Sequence, residues 1–262
     1  MSTAILTTYN ETRKTLLISW NYRFNMATEL LMLMFIFIGI GYFMGDGRLD
    51  PERLATALVG YLIWFFAVIV LNSMSNGLAE EAQPGTLEQV YMSPTPVAVI
   101  FVGRVVASLV VSTIMVTIIG TGLLLLLGVT IPIHWQGLPV FAITLLGLMG
   151  MGYGIAGATI IFKRTASLTN MLTNVMLFLN GALLPVDRLP GWLELFAKGL
   201  PTTQGIIVMR RVLFDGDTLW ALWADGSIPF LIAHSAVLVL VGWLVFRFAQ
   251  SVAMKRGLLG QY

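Results

Sequence analysis

Acid–base and nucleophilic chemistry need titratable side chains within reach of one another, and this sequence scatters the few it has. Its two histidines, His134 and His234, lie far apart with no clustered Asp, Glu or Ser around them, so an intramembrane protease or acyltransferase site is not assembled. There is no cysteine, which excludes a disulfide framework, iron–sulfur ligation and thiol chemistry. No Gly-Lys pair occurs, so the chain has no P-loop with which to hold ATP. Two other sets of residues have informative spacing. Glu80, Glu81 and Glu88 bracket a Pro84-Gly85 turn, and the amides Asn72, Asn76, Asn170, Asn174 and Asn180 interrupt apolar runs. Asn170 and Asn174, spaced i, i+4, share one helix face. An amide in hydrocarbon either bonds between helices or lines a pathway, and the residues alone leave both open.

Those groups must be positioned by elements suited to lipid. Of 262 residues, 57% are apolar and 11% charged, against roughly 25% charged in an average soluble domain. A soluble fold could not cover its surface with so few charges. The formal charge of +2 is too small and too dispersed for a nucleic-acid partner. Met1 to Arg23 is mixed in character, and the first long apolar run begins only near Ala27, so no cleavable signal is expected there.

A membrane-spanning helix needs about 20 apolar residues. Charges and breakers divide the chain into six such segments, at about 27–42, 54–76, 97–127, 139–162, 167–185 and 228–248. The third and fourth are separated by the turn Pro132 to Gly137, with Pro139 just beyond it. Expected is an all-α membrane protein forming one domain over residues 1–262. Basic residues set its orientation. With both termini in the cytoplasm, Arg13, Lys14, Arg23, Arg104, Lys163, Arg164, Arg247, Lys255 and Arg256 all fall inside.

Three segments do not span. Within residues 1–26, Ile5, Leu6, Tyr9, Leu16, Leu17 and Trp20 recur near helical spacing among Asn10, Arg13, Lys14 and Asn21, as in an amphipathic helix lying in the membrane interface. After the second span, Thr86 can cap a short helix to Met92, with Gln89 as in a capping box and Ser93-Pro94 ending it. Outside, Leu189 to Thr203 carries too many breakers to span and too many apolar residues for a free loop, so one or two short re-entrant helices are expected.

At these residues the chain resembles the type 2 ABC transporter permease family, over nearly its whole length. The resemblance lies in Glu81, Gly85-Thr86-Leu87-Glu88-Gln89 and Ser93-Pro94 after the second span. Outside, it lies in Pro190, Trp192, Leu200-Pro201-Thr202 and Arg210 or Arg211. It implies that Thr86 to Met92 is a coupling helix seated on a separate ATPase subunit, with Glu80, Glu81 and Glu88 offering charge to that partner. Glu80 or Glu81 can equally pair with Arg104 or Arg13. ATP and magnesium would then belong to the ATPase, with no cofactor in this chain and a second permease copy, identical or paralogous, beside it. The second and fifth spans of both copies would face a central cavity. Its polar entrance would be Asn72, Asn170 and Asn174, continued outward by Phe65, Phe66, Phe178, Leu179 and Leu183, with Asn180 deeper.

The implied function is an inner-membrane export permease for an amphipathic, lipid-like, drug or lipid-linked glycan substrate. A secondary, ion-coupled carrier is the alternative. It usually needs intramembrane carboxylates, and Glu29 reads instead as a cap in the first turn of the first span. Gly147, Gly150, Gly152, Gly154 and Gly157 crowd the fourth span, a pattern for close helix contact. His234 reads as a satisfied core histidine.

Overall fold

The computed structural model describes residues 3–82, 97–163 and 165–256, and every regular element among them is helical. Helices satisfy backbone polar groups within one segment, as lipid requires. They are α1 (Thr3–Asn21), α2 (Arg23–Met44), α3 (Pro51–Ala82), α4 (Val97–Leu127), α5 (Gly137–Phe162), α6 (Ala166–Leu179), α7 (Gly191–Lys198), α8 (Thr203–Arg210), α9 (Leu219–Ala224) and α10 (Ser227–Arg256). Among the described residues, five stretches have the length and apolarity to cross a membrane: Arg23–Met44, Pro51–Asn76, Gly103–Leu127, Gly137–Phe162 and Ser227–Lys255.

The expected span at 167–185 is shorter than the sequence pattern implied. Helix α6 has 14 residues and is about 21 Å long at about 1.5 Å per residue, short of a roughly 30 Å hydrocarbon layer. It stops because Asn180 turns the chain. The Asn180 side-chain oxygen accepts the Ala182 N–H at 2.9 Å, and Gly181 takes φ +82°, open mainly to glycine. A second difference lies at the start of the chain. The break between α1 and the first long helix falls at Tyr22, so α2 begins at Arg23 rather than near Ala27. Glu29 is therefore well inside α2 and does not cap it.

Helix α3 is the centre of the bundle. Asp50 accepts the Glu52 N–H at 3.1 Å and Pro51, which has no N–H, opens the first turn, so two of the helix's first backbone positions need no partner within it. Along it Leu58, Tyr61, Phe65, Phe66 and Leu71 are fully buried, with α4, α5 and α6 packed around them. By contrast α2 buries only Leu30 and Phe37 among its residues and leans on the bundle from outside.

The most extensive helix contact is between α5 and α10. Gly150 and Gly242 meet backbone to backbone: a Cβ on Gly242 would strike the Gly150 carbonyl, and one on Gly150 would meet Leu238 and Val239. Gly147 and Gly157 face Ser235 and Phe246 of the same partner helix, whereas Gly152 faces Met74 of α3. The glycine-rich pattern is thus a packing device. Pro139 sits in the first turn of α5, where its missing N–H costs nothing, so the helix starts two residues earlier than expected.

Helix α1 lies along α4. Its inward residues are small or polar: Thr8 approaches Gly103, and Glu11 pairs with Arg104 at 3.7 Å. Ile5, Leu6, Tyr9, Leu17 and Trp20 face outward. At the other end, α7 exposes Trp192, Leu195 and Phe196, while α8 is buried and packs against α3, α5 and α10.

Candidate functional site

The sequence singled out the stretch between α3 and α4 and the polar residues of α3 and α6. Gly85, Thr86, Leu87, Glu88 and Gln89 lie outside the described residues. Glu80 and Glu81 stand in the last turn of α3, immediately before that stretch. The two helices flanking it pack against each other, and α1 is fastened to the early part of α4 through the Glu11–Arg104 pair.

Helix α6 is amphipathic in a way that sorts the predicted pathway residues. Thr169, Thr173, Met176 and Leu177 face inward and are buried, whereas Asn170, Asn174 and Phe178 follow one another at i, i+4 and i+8 on the exposed face. The inward face is fixed by hydrogen bonds. The Trp64 indole donates to the Thr173 carbonyl at 2.7 Å, and the Thr165 hydroxyl joins Ser75 at 2.9 Å and Thr159 at 2.5 Å. These bonds bind α6 to α3 and α5, and they fix which amides point away from the bundle.

Phe65, Asn72 and Asn170 come together on one cavity of about 410 Å³, together with Glu29 and Asn76. Phe66 does not join them. It is buried on the other side of α3, edge-on to Phe141 with ring centroids 5.2 Å apart. Asn180 is also placed away from the exposed face of α6. It is buried, its amide nitrogen donates to the Thr202 hydroxyl at 3.1 Å, and its oxygen holds the turn that ends α6. Leu179 is half-buried in the core packing, and Leu183 lines a separate cavity of about 550 Å³ with Arg53, Arg188 and Arg210.

Arg210 and Arg211 have separate tasks, which the sequence pattern left as alternatives. Arg210 is largely buried and donates to the Thr56 carbonyl at 3.0 Å and the Ala182 carbonyl at 2.9 Å, tying α8 to α3 and to the turn after α6. Burial pulls its guanidinium down to about 10, with the Asp187 carboxylate opposing that shift. Arg211 opens a π-helical turn, Arg211–Asp215, and forks onto Asp217 and Asp225, each at 2.7 Å, and onto the Ser227 hydroxyl at 2.9 Å. Hydrogen bonds and attraction from Asp225 and Asp217 raise the Arg211 pKa. The Asp225 pKa is lowered, mainly by hydrogen bonds from Ser227 and then by the one from Arg211.

His234 has a place short of the fully satisfied one expected. Its Nε2 is 3.2 Å from the Gly199 carbonyl and its ring stacks on Phe230, but Nδ1 is buried with no hydrogen-bond partner among the described residues. Among the described residues no cluster of His, Cys, Asp or Glu could hold a metal ion. Asn76, one of the amides left open between packing and pathway, also borders the cavity of about 410 Å³, whereas Glu29 was missed as a cavity residue. The signal that could have found it was the helix start, since a boundary at Tyr22 turns Glu29 from a cap into a carboxylate within the helix.

Comparison with known proteins gives concordant matches. The sequence model of the family described as ABC-2 type transporter matches residues 9–214. The probable multidrug ABC transporter permease YbhR of Escherichia coli strain K12 is 28% identical over 168 residues, covering 62% of this chain and 44% of that relative. Its counterpart in Escherichia coli O157:H7 matches with the same identity and coverage. The chain thus spans less than half the length of the curated relatives it matches.

Proposed function

This chain belongs to the ABC-2 type transporter family, and on that premise we propose that it is the membrane subunit of an ATP-driven exporter in the inner membrane. Residues 1–262 act as one permease domain. Helix α6 and the turn after it complete a sixth crossing, and both termini face the cytoplasm. The outward apolar face of α1 rests in the cytoplasmic membrane interface. Residues Thr86 to Met92 form the coupling helix, seated with Glu80, Glu81 and Glu88 on a separate ATPase that binds ATP and magnesium. A second permease copy, identical or paralogous, faces α6.

The observation that carries this proposal is the exposed Asn170–Asn174–Phe178 face of α6. An apolar helix that hides its threonines and presents two amides outward is built to face something other than lipid tails. With Asn72 and Phe65 beside Asn170, that face gives a polar entrance to an otherwise apolar route, suited to an amphipathic substrate such as a drug, a lipid or a lipid-linked glycan. Two relatives carrying the words multidrug and permease in their names support the drug class.

The test is co-purification with a candidate ABC ATPase subunit, followed by ATPase assays in lipid nanodiscs. The permease should stimulate hydrolysis, and replacing Gly85 to Gln89 with a Gly-Ser segment should abolish stimulation while leaving the permease folded. Normal stimulation after that replacement would overturn the coupling assignment. Substrate movement in proteoliposomes without ATP, driven by an ion gradient, would favour a secondary carrier instead.

A further inference from the structure

We propose that the crevice lined by α2, α3, α4 and α6 binds the cationic head group of an amphipathic molecule, with the Glu29 carboxylate as its counter-charge. This rests on the transport function proposed above and names the chemistry of the substrate it would take.

Because α2 starts at Arg23, Glu29 lies about 9 Å along the helix axis, at about 1.5 Å per residue. A carboxylate inside a span is costly and is kept where something compensates it. No basic side chain does so among the described residues. Arg23, the nearest cation in sequence, is turned back onto α1, where it donates to the Trp20 carbonyl at 3.3 Å and lies over the Trp20 ring. Glu29 instead borders the cavity of about 410 Å³, across from Asn72, Asn76 and Asn170.

That set of groups selects by charge. Each amide offers a carbonyl oxygen to a cation, and the carboxylate offers a full negative charge. An anionic head group would meet the same carboxylate as repulsion. Phe65 and Met115 line the same cavity and supply apolar wall for the remainder of the molecule, methionine adapting readily to different shapes. The volume lies in the range of drug-sized sites. Helix α2 buries only Leu30 and Phe37, so the crevice is walled on one side by a lightly packed helix rather than by the core.

Fluorescence anisotropy of the purified full chain in nanodiscs tests this. The probes are rhodamine 6G as the cation, Nile red as a neutral comparator and anilinonaphthalene sulfonate as the anion, with empty nanodiscs subtracted. Glu29→Gln should weaken rhodamine 6G about tenfold or more, as expected for loss of one charge-assisted contact, while Nile red binding is unchanged. Glu29→Asp should keep most of the affinity, and Asn72→Leu should weaken rhodamine 6G by a smaller factor. Equal rhodamine 6G affinity in wild type and Glu29→Gln would overturn the proposal, as would equal weakening of all three dyes. Among the described residues the Glu29 side chain has no hydrogen-bond or ion-pair partner, so Glu29→Gln is expected to elute as wild type does. The ATPase assay separates the two proposals. Cation binding without ATPase stimulation would leave this site standing and remove the exporter, and stimulation without charge-selective binding would do the reverse.

Discussion

The Tyr61 hydroxyl of α3 donates to the backbone carbonyl of Leu33 on α2 at 2.9 Å. The Tyr61 ring sits between Phe37 and Trp64, with centroids 4.9 and 5.1 Å away. This is the pin that holds α2 to the bundle, because α2 contributes little else to the interior. Tyr61→Phe keeps the ring and removes the bond. It should cost about 1 kcal/mol, the net worth of one such hydrogen bond, read as a lower midpoint in a thermal melt in detergent. The chain has no cysteine, so a single cysteine placed at Ile69, which lines the crevice behind α2, reports its opening. Labelling there should be faster in Tyr61→Phe. An unchanged rate would mean that α2 is held by something else.

Arg210, at the end of α8, joins that helix to α3 and to the turn after α6 through two carbonyls, those of Thr56 and Ala182. A lysine has the charge but lacks the planar fork that reaches both acceptors at once. Arg210→Lys should therefore lose about 2–3 kcal/mol, in the range for hydrogen bonds to a charged group. The melt should show it, and a cysteine at Leu184 in the cavity beside Arg210 should label faster. Arg188→Lys, a change at another arginine of that cavity, serves as the comparison and should be close to neutral.

Asp225 gives a pH signature. Its pKa is depressed by the Ser227 hydrogen bonds and the Arg211 contact, so in the folded state it releases its proton at lower pH than in the unfolded chain. Its stabilising contribution is complete above the unfolded value of about 3.9, and it is lost as pH falls through the lower folded value. The difference in melting midpoint between wild type and Asp225→Asn should be flat from neutral pH down to about pH 4 and shrink below it. A difference that grew on acidification would contradict the sign of the shift.

Much of the fold is legible in the sequence because lipid leaves few options: apolar runs must be helices, and the breakers at Gly45–Asp50 and Gly128–Gln136 mark where they end. The α5–α10 contact was half visible. Gly150 and Gly154 announced a close approach, but nothing in the pattern named Gly242 as the partner, since a pairing between distant segments leaves no local mark. The shared exposed face of Asn170, Asn174 and Phe178 was legible because one helix period decides it. The place of Asn180 was not legible, since its role follows from a turn that hydropathy cannot register. Phe65 and Phe66 are adjacent and chemically identical, yet one lines the cavity and the other packs on Phe141. Only the rotation of α3, set by the whole bundle, separates them.

That rotation and the α5–α10 crossing depend on close packing that tolerates no added volume at one point. A Cβ at residue 242 would collide with the Gly150 carbonyl, which is backbone and cannot rotate aside. Gly242→Ala should force the helices apart and cost about 1–3 kcal/mol or more, as overpacking does, even though alanine is the better helix former. Gly39 on α2 makes the opposite case, with nothing within 4 Å of an added methyl group. There the same substitution should be neutral or stabilising by about 0.5–1 kcal/mol, the helix-propensity gain alone. Thermal melts of the two variants side by side separate the effects. If Gly242→Ala melted at or above the wild-type temperature, the backbone contact would not be a constraint, and the glycines of α5 would need another explanation.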